Sequence, residues 1–292
     1  MDYKFHNNLQ SINYSPKDRT KIIRDIKELQ DILILFQSSI PEPHHKINHE
    51  NYFIKSLMSK YILHAYSILR LLSGTNIKSK IVGKMDTVYD IGSINVLTRA
   101  ILETYLTFFY LFIHPQNDDE HFFRLDIYKL AGLKSRQRFR PSDDALMKRY
   151  NESEIEIEKL VQKIITRKRF NELSHRLRAN IENGKQSKIY SWEQLFQIAD
   201  LNTEFFQMTW VFFSDYSHSE YISLTQIRGL LKDVELSKKK NDTIINILLI
   251  LTSIYIIDLR IKFNELASSY KNLTEDQKQV IEGYDEIGRA HS

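Results

Sequence analysis

The chain contains no cysteine, which removes disulfides, thiolate nucleophiles, cysteine-ligated zinc and cysteine-ligated iron–sulfur clusters. Proline and glycine are scarce, five and eight in 292 residues, and the composition is globular rather than disordered. A surplus of one charge sign is also missing. Lys and Arg number 41 against 37 Asp and Glu, a formal +4 that suits an ordinary soluble protein and by itself specifies no polyanion. The longest apolar run, Thr243 to Ile257, falls short of the roughly 20 residues a membrane-spanning helix needs, and Asn246 interrupts it. The opening residues MDYKFHNNLQSINYSPKDR lack the continuous apolar stretch of a secretory signal, so a cytoplasmic protein without membrane association is expected. Gly-rich phosphate loops, the dinucleotide fingerprint, HExxH and Gly-x-Ser-x-Gly are all absent. No cofactor is expected.

What is present is helical periodicity. Apolar residues make up 42% of the chain and charged residues 27%, with sixteen Phe and sixteen Tyr spread largely at three-to-four-residue spacing. Ser15-Pro16-Lys17-Asp18 reads as a helix start ahead of Ile22, Ile26, Leu29, Leu33 and Phe36. Helices are predicted near 17–39, 49–72, 87–113, 151–168, 191–213 and 243–266, with shorter ones over 118–133 and 224–234 and a connection from Gly74 to Gly83. Gly92 weakens the third of them or lets another helix come close. Glu152, Glu154, Glu156 and Glu158 sit where a helix starting near Asn151 would welcome acids. The fold class is all-α: a multi-helix bundle of long antiparallel helices, one domain over 1–292, with a peripheral N-terminal segment and a polar C-terminal helix.

Two polar groups interrupt strongly apolar sequence. Arg99 and Glu103, within GSINVLTRAILETYLTFFYLF, are spaced i,i+4 and share a helix face as an ion pair. Asp215, Tyr216 and His218 follow TEFFQMTWVFFS, with Ser214, Ser217 and Ser219 adding hydroxyls. Buried charge is costly unless paired, so one shared interhelical polar cluster is expected of these two segments. Joining helices is its first reading; a histidine oriented by a carboxylate, beside an arginine for an anion, is its functional reading.

Basic residues concentrate in two places. Lys134, Arg136, Arg138 and Arg140 alternate before Pro141, an arrangement that in extended backbone would present all four to phosphates. Lys163, Arg167, Lys168, Arg169, Arg176 and Arg178 form the second stretch, broken by the single acid Glu172. Solvated surface is the first reading of both. His44, His45 and His49 with Glu42 or Glu50 make a borderline zinc or nickel set, but Pro41 and Pro43 mark this as a connection and no metal is expected.

Arg99-Ala-Ile-Leu-Glu103, Ser191-Trp192-Glu193-Gln194-Leu195, Trp210 and Asp215-Tyr216-Ser217-His218 together resemble a widespread family of uncharacterised, all-helical bacterial proteins. Its members pair an R-x-x-x-E helix with a later Y-S-x-x-H-like segment; here Ser217 and His218 are adjacent. The likeness runs over roughly residues 85–225 and implies a helical fold without implying a reaction. A second resemblance is to the helical nucleotide-binding domains that include RNA-cleaving toxins. Arg169-Phe-Asn-Glu-Leu-Ser-His175 is similar to their R-x(4–6)-H pattern, a spacing that also arises by chance at this composition.

Three functional classes stand at this level. The first is a soluble interaction or regulatory protein with a protein partner, in a bacterial defence or stress setting. The second is a metal-independent ribonuclease with Arg169 and His175, or Arg99 and His218, as its arginine and proton-transfer histidine. The third is RNA or DNA binding through Lys134, Arg136, Arg138, Arg140, Arg167, Lys168, Arg176 and Arg178. A homodimer remains open in each.

Overall fold

A computed structural model describes residues 19–42, 49–80, 83–218, 220–230 and 233–290. The helix start at Ser15–Asp18, His44, His45 and Ser219 lie outside them. Among the described residues the fold is all-α apart from one hairpin. In chain order it comprises α1 (Arg19–Ser39), α2 (His49–Leu71), β1 (Thr75–Ser79), β2 (Gly83–Val88) and α3 (Ile91–Phe108), which runs into a π-helical turn (Phe109–Ile113). Then come α4 (Asp118–Arg136), α5 (Asp144–Ile165), α6 (Lys168–Asn171), α7 (His175–Glu182), α8 (Trp192–Ile198), α9 (Thr203–Ser217), α10 (Tyr221–Leu230), α11 (Val234–Lys262), α12 (Asn264–Lys271) and α13 (Glu275–Arg289).

Packing groups the chain into two compact units, one made of residues 1–109 and 196–292, the other of 110–195. In the first unit α11 is the central helix. Ile244, Ile247, Leu248, Leu251, Ile254 and Leu259 are all buried, and α1, α3, α12 and α13 pack against it. The apolar run that fell short of a membrane span is therefore part of a longer core helix. By length and apolarity, 91–113 and 241–262 are both long enough to cross a bilayer, and 67% and 78% of their apolar windows are buried inside the protein. Gln30 donates to Thr252 Oγ1 at 3.2 Å, and the Tyr61 hydroxyl lies 3.0 Å from the same oxygen, tying α1 and α2 to the middle of α11. The C-terminal helix is amphipathic rather than merely polar: Ile281, Tyr284 and Gly288 are buried, and a Cβ on Gly288 would meet Ile250 Cγ2 at 2.5 Å.

The second unit has its own core of Phe123, Ile127, Leu130, Leu160, Ile164, Phe170 and Ile181, where α4 faces α5 and α7.

Three local expectations are corrected, and of the two candidate starts of α3, near Asp86 or Asp90, the second is the one observed. The connection after Gly74 is an antiparallel hairpin pairing Thr75 with Val88 and Ser79 with Gly83. The β-branched Thr75 and Val88 suit strands, while Gly74 and Gly83, at φ 77° and 79°, supply the left-handed positions that punctuate it. The next helix accordingly begins at Ile91, where Asp90 accepts from Ser93 N–H at 3.0 Å. The fifth helix begins earlier than Asn151 because Asp143 accepts from Leu146 N–H at 3.0 Å, which leaves Glu152 to Glu158 mid-helix rather than at its positive end. The span 191–213 is two helices: Asp200 adopts a left-handed φ of 52°, and Asn202 caps α9 by accepting from Phe205 N–H at 3.1 Å.

Candidate functional site

Arg99 and Glu103 lie on the partly exposed stripe of α3, otherwise a largely buried helix. Arg99 Nε–H donates to Glu103 Oε1 at 2.8 Å, and the same oxygen accepts from Trp210 Nε1–H of α9 at 3.0 Å. The guanidinium lies over the indole, Cζ 5.2 Å from the ring centroid, within cation–π range. A carboxylate thus holds an arginine and a tryptophan on two packed helices. The Arg99 side chain is 18% exposed, and among the described residues its two terminal amines have no protein partner and are not sealed from solvent.

The polar contact from Glu103 to α9 therefore runs through Trp210 and not through the Asp215–His218 segment expected from the sequence. Tyr216 is buried and donates to Gln226 Oε1 on α10. Asp215 is half-buried, His218 is exposed as the C-cap of α9, and among the described residues neither makes a polar contact with Arg99 or Glu103. At the start of α3, Thr75, Asp90, Ile91, Gly92, Ile227 and Leu230 line a cleft of about 250 Å³ that none of Arg99, Glu103, Trp210, Asp215, Tyr216 and His218 lines. A Cβ on Gly92 would be 3.5 Å from Ile227, ordinary contact, so close helix approach does not require glycine there.

The second unit holds a polar node that the sequence reading did not single out. Arg124 is fully buried, with its guanidinium Cζ 4.7 Å from the Tyr110 ring centroid and 5.2 Å from that of Tyr190. Its amines donate to the Tyr110 carbonyl at 2.7 Å, to His114 Nδ1 at 2.8 Å and to Glu120. The π-helical turn explains the need: shifting the hydrogen-bond ladder frees carbonyls, and Arg124 takes that of Tyr110 while His121 Nδ1–H takes that of Leu111 at 2.7 Å. Burial pushes the Glu120 carboxyl up, but the Gln116 N–H and the Arg124 and Arg169 guanidiniums outweigh it and leave the group below its ordinary value. Burial, and then the Arg124 charge, hold His114 below the usual histidine value, which favours its neutral acceptor form. Glu120-x-x-x-Arg124 has the spacing of an ion pair, but the acids of Asp118-Asp119-Glu120 read first as ordinary helix-start residues.

Arg169 belongs to this node, its Nη2 3.0 Å from Glu120 Oε1. His175 is exposed at the first turn of α7 and makes no polar contact with Arg169 among the described residues. The alternating basic run is not extended either: Lys134 and Arg136 occupy the last turn of α4, where cations complement the helix dipole, and only Arg138 and Arg140 follow it as exposed turn residues. Lys134 donates to the Glu182 carbonyl and Arg136 to Ser153 Oγ. Arg167 is committed to Asp119 at 2.7 Å and Asp126 at 3.0 Å. Lys168 and Arg176 are exposed, and Arg178 is half-buried. No group of His and carboxylates suited to a metal occurs among the described residues.

No curated protein and no solved structure matches the chain. The profile of one family matches residues 51–233, a span that contains Arg99, Glu103, Arg124 and Trp210, and the chain belongs to that family of unknown function, DUF5677.

Proposed function

We propose that this protein is a helical interaction or regulatory protein that acts by binding a protein partner. The observation that carries the reading is apolar exposure on mutually packed helices of the first unit. Tyr221 is 80% exposed on α10, Ile222 and Leu224 are exposed beside it, and Val211 of α9 and Val96 of α3 are exposed on the helices that pack with it. Side chains of this kind cost free energy in water and recover it when a partner covers them. The bacterial defence or stress setting is part of the same proposal.

The alternatives draw less support. A metal-independent ribonuclease needs an arginine and a histidine converging on one phosphate, whereas Arg169 is engaged by Glu120 and His175 and His218 stand exposed on different helices. Nucleic-acid binding needs free cations, and Arg167, Lys134 and Arg136 are spent on internal acceptors.

The test is incubation of pure protein with labelled total RNA and DNA, with and without EDTA, beside His175→Ala and His218→Ala. The reading predicts intact nucleic acid and no salt-sensitive retention. EDTA-resistant cleavage lost in one folded variant would replace it with the nuclease, and salt-sensitive retention without cleavage with the nucleic-acid module.

A further inference from the structure

We propose that Arg99 is the anchor for a carboxylate carried by an otherwise apolar peptide segment, an inference that rests on the interaction reading and names the chemistry its partner would present. An ion pair that only joined α3 to α9 would need one guanidinium N–H, one carboxylate oxygen and the indole. The structure uses those and leaves two amines over. Arg99 Nε–H is fixed to Glu103 Oε1 at 2.8 Å, the guanidinium Cζ lies over the Trp210 ring at 5.2 Å from its centroid, and Glu103 is itself fixed by the indole N–H at 3.0 Å. The terminal fork has no protein acceptor among the described residues and remains open to solvent. A guanidinium held at Nε and lying over an aromatic ring has already given up part of the rotamer freedom that binding would otherwise remove, and its terminal fork matches a carboxylate in bidentate geometry.

Charge selects the ligand. Glu103 already offsets the one charge of Arg99, so an arriving monoanion leaves the group at −1 and a phosphate dianion leaves it at −2. A carboxylate therefore binds at smaller electrostatic cost. The surroundings select what flanks it: exposed Val96 stands one turn from Arg99 on α3, and exposed Val211 is next to Trp210 on α9. An acidic residue between apolar neighbours satisfies both. This is helix-face recognition with one polar fixing point in an apolar setting.

Trp210 reports on its own site. With Trp192 replaced by Phe, the other of the two tryptophans in the chain is removed and emission comes from Trp210 alone. The full-length protein is titrated with the acetylated, amidated peptide Leu-Glu-Leu, its Leu-Gln-Leu analogue, and inorganic phosphate. The expected result is a saturable change with the Glu peptide and at least tenfold weaker binding of the Gln peptide and of phosphate. Arg99→Gln, or Arg99→Lys if the former does not fold, weakens the Glu peptide at least tenfold, because the lysine keeps the charge but not the fork. Glu103→Gln keeps the acceptor for Nε and the indole, raises the local charge by one and tightens the peptide at least threefold, a change that a purely structural pair would not give. Equal binding of the Glu and Gln peptides, no response to the Glu peptide, preference for phosphate, or indifference to the Arg99 and Glu103 substitutions would each overturn the proposal. A partner still gripped by α10 in that event would leave the interaction reading standing without Arg99.

Discussion

Arg124 shows how a fully buried cation is made tolerable: three acceptors and two aromatic faces surround it, and Glu120 supplies the only formal negative charge among the contacts described. Removing that charge strands the guanidinium, so Glu120→Gln should cost about 3–5 kcal/mol in urea unfolding at neutral pH. The acid limb carries the same information. The folded-state pKa of Glu120 is lowered from an ordinary 4.5, so its contribution is complete above the unfolded value and is lost as pH falls through the folded one. The gap between wild type and Glu120→Gln should narrow on acidification; a gap independent of pH would contradict this assignment. Asn241 is the opposite case. It is fully buried in α11 and among the described residues neither amide atom has a partner, so Asn241→Leu, close in size and a better helix former, should stabilise by about 1–3 kcal/mol. A lowered melting temperature would show that the amide is satisfied in solution. At this scale the sequence was half legible. The spacing of Arg99 and Glu103 announced their pair, but a tryptophan inside an apolar run looks like core whether or not its N–H is needed, and Trp210 could be assigned to Glu103 only once α3 and α9 were seen together.

Elements were easier to place than their ends. Apolar periodicity located α1, α2, α3 and the core of α11, because a buried stripe repeats over many residues and survives local exceptions. The breaks depend on single side chains. Asn202 could have been read as a cap, but the apolar pattern continues through Ala199 and Leu201, both buried, and hides the left-handed turn at Asp200. Asn202→Ala should cost about 0.5–2 kcal/mol through the lost cap; because Asn202 also donates to the Ala290 carbonyl at 2.8 Å, hydrogen exchange should quicken at the end of α13 as well as at the start of α9. Protection lost only in α9 would argue against that tie. Gly288 tests the approach of α13 to α11. A branched side chain there must displace Ile250 and Ile254, so Gly288→Val should destabilise by about 1–3 kcal/mol, read by chemical denaturation, and an unchanged midpoint would show that the helices separate freely. The hairpin escaped prediction because strands of this length carry too little periodicity to be told from a loop.

For the whole molecule, the balance of charges says more than their number. The excess of +4 is small, and several of the cations that looked available for nucleic acid, Arg167 and Arg169 among them, hold the second unit together through Asp119, Asp126 and Glu120. Sequence alone could not separate a basic surface from a basic framework, because the acids that engage these residues lie some fifty positions away, in α4. The apolar side chains of α10 pose the same ambiguity in reverse: a short apolar helix has the same sequence pattern whether it is buried or not, and Tyr221, Ile222 and Leu224 are exposed. The central claim is that this face takes a protein partner. Position-resolved photo-cross-linking in the native cells tests it most directly, with the photoreactive residue placed at Ile222, at Val211, or at Arg176 in the basic stretch. The account predicts a discrete, protease-sensitive adduct from 222 and 211 and none from 176; nuclease-sensitive adducts from 176, with none from 222 or 211, would contradict it.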